Sequence, residues 1–188
     1  TEACSAALLI DGATTLRFEV TERRHAELIL PMVDSLLLEA GLDLGDLDGL
    51  AFGRGPGGFT GLRIATGVVQ GLAFGAGLPV APVSSLAAVA EQVPASEDEV
   101  VLVCNDARMG EVYWAAFRSD GSGRVEAVTA ESVSPPARVP LDLASLCHAA
   151  GNGIARYPEI RQRLEQAGLQ IHDGFYARAD AIARLGAR

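Results

Sequence analysis

LAFGRGPGGFTGLRIATGVVQGLAFGAG, residues Leu50–Gly77, is the stretch on which the reading of this chain turns. It opens with a short apolar strand, Leu50–Phe52. A glycine-dense loop follows, with Gly53, Gly55, Gly57 and Gly58 around Pro56, and a helix begins near Thr60. Glycines at this spacing allow φ > 0 and let backbone N–H groups point into one concavity. A helix N-terminus adds unpaired donors and a partial positive charge. The loop therefore reads either as an anion seat or as a tight strand-to-helix turn. On a helical wheel, only Arg63, Thr66 and Gln70 form a polar arc. Leu62, Ala65, Val68, Val69 and Leu72 cover one side, and Ile64, Gly67, Gly71, Phe74 and Gly75 the other. A surface helix ordinarily carries one apolar stripe. Each interior glycine costs about 1 kcal/mol relative to alanine, so three of them on one face ask for a packing reason. Two remain open: close packing on the chain's own sheet, and a subunit interface.

The 188 residues suffice for one large domain or two small lobes. Hydrophobic residues make up 49% and charged residues 21%, a composition that favours a packed core over disorder. No apolar run reaches the ~18 residues of a membrane span, and no basic segment leads into an apolar one at the N-terminus. These features predict a cytoplasmic protein that does not enter a membrane. Cys4, Cys104 and Cys147 are odd in number and scattered, which fits free thiols rather than a disulfide framework or a zinc site. The net charge of −9 argues against unaided binding of tRNA or DNA. All fifteen basic residues are arginine. Without lysine there is no Schiff-base amine and no phosphate-loop lysine.

Residues 1–10 and 14–21 read as two strands joined at Asp11-Gly12, and residue 1 falls almost inside the first, so a preceding strand is expected to be absent. A helix is predicted over 22–40, with Pro31 inside it and Gly41 as its stop. Leu78–Val83 is a strand, Ser84–Val93 a short helix, and Pro94–Glu99 the expected boundary between lobes at 1–93 and 94–188. Val100–Asn105 reads as a strand buried on both faces. Glu111–Arg118 and Arg124–Val128 pair back around a turn. Residues 130–140 are loop, and 141–150 a short helix leading into a strand. Gly151-Asn152-Gly153 is a turn, Ile154–Ala167 a helix, Leu169–Asp173 a strand, and a last helix begins at Tyr176. Two βαβ-like halves, each opening with a hairpin, imply two lobes of α/β architecture.

The chemistry is thin. Gly53-x-Gly55-x-x-Gly58 matches the dinucleotide fingerprint literally, but the acid expected ~20 residues on is absent. His25, His148 and His172 form no i,i+4 pair and belong to no HExxH or HxxxH motif, so no metal site is expected. His25 reads as a helix-start or packing residue. Asn105-Asp106-Ala107-Arg108 ends a buried strand, where α/β folds place functional groups, and it equally fits a capping turn. Gly151 and Gly153 carry the same ambiguity. Gly53, Gly55, Gly57, Gly58, Thr60, Asp106, Gly151 and Gly153 are thus candidates for contact with an anion or nucleotide.

At GRGPGGFTGLRIATG the chain resembles the TsaB family, also called YeaZ. His25-Ala26-Glu27 with LILPMVDSLLLEAGL, then LPVAPVSSLAAVA, then Asp106-Ala107-Arg108-x-Gly110-Glu111-Val112-Tyr113 resemble further family segments in the family's order. The resemblance implies an α/β, two-lobed, actin-like ATPase (ASKHA, RNase H-like) fold. It implies a non-catalytic partner of TsaD in making threonylcarbamoyladenosine beside the tRNA anticodon. TsaD would be bound directly and TsaE would join the complex. tRNA would be reached only through that complex. ATP and a metal would belong to the partner complex, with no cofactor in this chain. The family pairing implies an interface on two helices, at Ile29, Met32, Val33, Leu36, Ile64, Gly67, Gly71, Phe74 and Gly75, with a homodimer forming when TsaD is absent. Against the family pattern, the opening strand with its Asp-Thr pair and a C-terminal tail are expected to be missing, and Gly58 stands where serine is frequent. A hydrolase and an independent actin-type ATPase are the alternatives. The first lacks metal ligands, and for the second Asp106 is followed by Ala-Arg rather than Gly-Thr.

Overall fold

A computed structural model describes residues 2–21 and 23–187. The first predicted strand pair forms as β1 (Ala3–Ile10) and β2 (Ala13–Val20), antiparallel with Ile10 opposite Ala13. Asp11 (φ 49°) and Gly12 (φ 83°) both turn left-handed, the geometry that matches a two-residue hairpin turn to strand twist. Helix α1 spans His25–Ala40 and stops on Gly41, whose φ of 67° lets its N–H reach back to the last turn. Pro31 lies within α1 without interrupting it. The expected helix start at Glu22 lies outside the described residues.

One face of α1 closes over the hairpin. Leu36, only 4% exposed, meets Ala6 and Leu8, and Ile29, Met32 and Val33 pack beside it. Leu36, one of the four α1 residues expected to face a partner, is therefore taken up by the hairpin, and Ile29, Met32 and Val33 are partly so. Apolar residues cover a wide arc of α1 (Ala26, Ile29, Leu30, Met32, Val33, Leu36, Leu37 and Ala40), and the hairpin takes one side of it. Leu36→Ala should therefore destabilise the isolated chain by about 2–5 kcal/mol, the cost of emptying a core leucine site. Urea unfolding of the chain without any partner measures this. Unchanged stability would return Leu36 to an outer surface.

The signature stretch gives β3 (Leu50–Gly55) and α2 (Phe59–Ala76). The strand extends further into the glycine segment than predicted. β4 (Val80–Ser84) lies parallel to β3, and α3 (Ser85–Ala90) follows at once. Then come β5 (Val100–Arg108), β6 (Glu111–Ser119), β7 (Val125–Ala127), β8 (Ser132–Ser134), β9 (Leu146–Ala150), α4 (Asn152–Arg156), α5 (Pro158–Gln166), β10 (Gln170–His172) and α6 (Ala179–Gly186). β5 is the centre of a six-stranded sheet in the order β10-β9-β5-β6-β7, with β8 also on β6. β9 and β10 run parallel to β5, and β6 runs antiparallel. Val100–Cys104 are fully buried, as a strand covered on both faces requires. Leu102, Cys104, Val112, Ala149, Ile154, Ile160 and Leu164 make the core beneath it.

Four local expectations change. Residues 130–140 contain β8, whose Ser134 Oγ accepts from Trp114 Nε1 at 3.0 Å. The short helix expected after Pro140 does not form, and residues 141–145 lead directly into β9. The single helix over 154–167 is two, because Tyr157 precedes Pro158 and is held extended (φ −120°, ψ 100°). The last helix starts at Ala179 rather than Tyr176, after Arg178 in extended conformation.

The chain folds as two compact units. One comprises Thr1–Ser85 with Ala177–Arg188, the other Leu86–Tyr176. The division differs from the expected 1–93 and 94–188: it falls at the start of α3, and α6 returns to the first unit, where it packs on β1, β3 and β4. A helix that closes a distant sheet leaves no local signal in sequence.

Candidate interaction surface

The glycine-bearing helix resolves the question that the sequence left open. Val69 and Ala73 are buried and face inward. Gly67, Gly71 and Gly75 are exposed, and a Cβ built on any of them meets no atom within 4 Å. The glycines therefore do not pack on the chain's own sheet. Phe74, on the same side, is 94% exposed, while Ile64 is half-buried. At the start of the helix Phe59 is 68% exposed, and the Arg63 guanidinium lies 3.9 Å from its ring centroid. Helix α1 is a neighbour of α2. Away from the hairpin it exposes Ala26, Leu30, Asp34 and Leu38, with Leu38 84% exposed. Leu30 was not singled out in the sequence because it shares the apolar arc of the residues that turn inward, and Leu38 because it lies outside that arc.

The glycine loop is a strand-to-helix turn. Of its four glycines only Gly55 has positive φ (98°). A Cβ on Gly53 would lie 3.2 Å from Ser85 Oγ, and one on Gly55 would lie 3.0 Å from Leu62 Cδ1. Close approach of neighbours explains both. Gly57 and Gly58 complete the turn, and Thr60 sits in the first turn of α2.

Asp106, Gly151 and Gly153, which the sequence singled out separately, come together at the end of β5. Gly151 and Gly153 lie against the β5 backbone so closely that a Cβ would sit 2.4 and 2.8 Å from the Cys104 carbonyl oxygen. The Asp106 N–H donates to Asn152 Oδ1 at 3.0 Å, and Asp106 Oδ1 accepts from the Arg108 N–H at 2.8 Å. Tyr157, which the sequence did not single out, donates its hydroxyl to the same Oδ1 at 2.7 Å. That bond to a carboxylate, with burial second, raises the Tyr157 pKa above the ordinary phenol value. The Asp106 carboxylate is thus committed to a tyrosine, a backbone amide and the Arg108 guanidinium 3.8 Å away. The knot joins β5 to α4 by hydrogen bonds, as a capping turn would.

Burial pushes the Cys104 thiol up to about 12, so it is an inert core residue. His25 sits at the first position of α1, and its Nε2 is buried without a hydrogen-bond partner among the described residues. Among the described residues no three His, Cys, Asp or Glu side chains group so as to hold a metal ion. Among them also no helix is long and apolar enough to cross a membrane.

Comparison with known proteins gives this arrangement its context. Residues 18–171 match the family model described as TsaD, tRNA N6-adenosine threonylcarbamoyltransferase. The Escherichia coli K12 protein called tRNA threonylcarbamoyladenosine biosynthesis protein TsaB is 41% identical over 178 residues, 93% of this chain and 76% of that protein. The Haemophilus influenzae protein of the same name is 52% identical over 116 residues, 61% of this chain and 49% of its own length. The crystal structure of an uncharacterized Pseudomonas aeruginosa protein, described as similar to the peptidase YeaZ, matches with a TM-score of 0.87 and 40% identity. That match covers 99% of this chain and 86% of the other. The two-unit α/β fold is accordingly of the actin-like ATPase type. With a family model over most of its length and a TsaB relative at 41% identity over nearly all of it, the chain belongs to the TsaB (YeaZ) family.

Proposed function

We propose that this chain is a non-catalytic subunit that binds a TsaD protein through α1 and α2 and supports threonylcarbamoyl transfer to the adenosine next to the tRNA anticodon. The observation that carries the reading is the open glycine face of α2 beside the 94% exposed Phe74. Three glycines without a neighbour give up helix stability and leave a backbone that a second helix can approach closely. Exposed apolar side chains grouped on adjoining helices mark a protein interface rather than a solvated surface. The names of the relatives support the pathway, and TsaD as the partner is the reading that the family resemblance implies.

In this reading the chain carries no cofactor, and ATP and metal belong to the partner complex, which a TsaE protein joins. The same face pairs with itself when TsaD is absent, so self-association and TsaD binding compete. The net charge of −9 leaves tRNA to the complex. The place of action is the cytoplasm, where tRNA is modified. Asp106, fully engaged by its neighbours, supports a structural knot better than an ATPase centre.

The test is reconstitution with TsaD, TsaE and a threonylcarbamoyl-adenylate source. The chain alone should leave tRNA unmodified, TsaD should co-elute with it, and omission of the chain should abolish or strongly reduce modification. Full modification in its absence would overturn the proposal, as would peptidase or ATPase turnover by the purified chain at enzymatic rates.

A further inference from the structure

The six-stranded sheet brings together three titratable side chains that the proposed function does not use. Among the described residues β10 is an edge strand of this sheet and pairs with β9. Gln170 lies opposite His148, so His172 is its diagonal neighbour. His148 Nδ1 and His172 Nε2 are 3.1 Å apart. On its other side His148 Nε2 is 3.0 Å from Glu99 Oε2, which also accepts from the Ser96 N–H at 2.6 Å. His148 is 6% exposed, and His172 is half-buried with its ring edge-on to Phe175. The hydrogen bond from His148, followed by that from Ser96, holds the Glu99 carboxyl below its ordinary range. An ionised carboxylate only accepts, so His148 carries its hydrogen on Nε2. In the neutral pair, His148 Nδ1 is then the acceptor and His172 Nε2–H the donor.

We propose that Glu99, His148 and His172 form a one-proton latch that fastens the β10 edge to β9 and opens when a second proton arrives. The first proton, taken from solvent, goes to the free Nδ1 of His172, or to His148 Nδ1 with His172 switching tautomer. Either way one N–H and one lone pair still meet between the rings, and Glu99 offsets the charge. A second proton puts an N–H on both nitrogens. Two donors and two positive charges then face each other at 3.1 Å, and the ring contact breaks. Of the charged residues next to His172 and Glu99 in the chain, Asp173 pairs with Arg161 of α5, which also pairs with Glu165, and Asp98 pairs with Arg118. Burial, and secondarily the charge of His148, depress the pKa of His172 below its ordinary value of 6.5. The unfolded chain therefore binds a proton that the folded latch refuses. Stability is full above the unfolded value and falls as pH drops from there through the folded value.

The chain tests this by amide hydrogen exchange over Gln170–His172, read at the amides that bond β9, and by imidazole nitrogen NMR between pH 7.5 and 5. Exchange corrected for its intrinsic pH dependence should rise about tenfold at these amides for each unit by which the His172 pKa is depressed. His148 should show hydrogen on Nε2 at neutral pH. His172→Gln keeps a donor toward His148 without titrating and should flatten the pH response while leaving protection at pH 7.5 near that of the unmodified chain. An equal pH response in His172→Gln overturns the latch. So does NMR of the unmodified chain showing both rings doubly protonated with β10 still protected, a result that decides the matter even if the variant does not fold.

Discussion

Gly151→Ala is expected to be the most damaging single-methyl substitution in the unit formed by Leu86–Tyr176. Gly151 has φ 111° and ψ 153°, a region closed to side-chain-bearing residues, and occupying it costs about 1–3 kcal/mol in backbone strain alone. The added Cβ would also lie 2.4 Å from the Cys104 carbonyl oxygen and 2.7 Å from Asn105 Oδ1. The nearer obstacle is backbone, which cannot swing aside as the Asn105 side-chain end can. Cys104 is fully buried in the central strand, and Asn105 is the next residue of that strand. Relief requires β5 or the start of α4 to move, which breaks the Asp106–Asn152 hydrogen bond and disturbs the Ile154 contacts in the core. Steric overlap and strain together place the loss at about 4 kcal/mol or more, in the range where single substitutions abolish folding. Thermal unfolding followed by circular dichroism, with hydrogen exchange on β5 and β9, reads the outcome. A melting temperature within a few degrees of the unmodified chain would mean that Gly151 is not held against β5. Gly168→Ala is the control, since its φ is also positive (73°) but nothing lies within 4 Å of its Cβ position, and it should cost only the backbone term.

Gly71→Leu should have the opposite profile: intact folding and failed association. No atom lies within 4 Å of a Cβ at Gly71, so the side chain meets open space in the isolated chain. Replacing an exposed glycine in a helix interior by leucine also gains up to about 0.8–1 kcal/mol of helix propensity. The melting temperature should therefore stay level or rise. Against a closely approaching helix the same side chain overpacks the contact, at about 1–3 kcal/mol. That corresponds to roughly tenfold or greater loss of affinity. Size-exclusion and titration calorimetry with TsaD, and sedimentation of the chain alone, measure both associations. A variant that melts normally and binds TsaD as tightly as before would remove α2 from the interface. Leu36→Ala gives the reverse test, since it should weaken the fold directly.

Much of the molecule was legible in the chain itself. Asp11-Gly12 between alternating strands specified a hairpin because only residues tolerant of positive φ fit a two-residue turn. Gly41 marked the end of α1 and the apolar run at Val100 a doubly covered strand, since both signals act on neighbouring residues. The Tyr157-Pro158 break was equally local and readable, yet the amphipathic pattern on either side masked it. The open glycine face was visible as a pattern but not as a location. A wheel reports which residues share a side of a helix and not which side the sheet covers.

The sequence by itself determined most of the elements, the α/β class and the family resemblance, because periodicity, turn residues and short motifs are properties of contiguous residues. The tertiary structure alone decided which half of the apolar arc of α1 faces the hairpin, that α6 closes the first unit, and that Tyr157 joins Asp106 across fifty-one positions. It alone placed His148 between Glu99 and His172, whose separations in the chain follow no helical or strand period. Such contacts are set by strand order and register, which depend on the sum of many weak interactions between distant segments and leave no mark on any one of them.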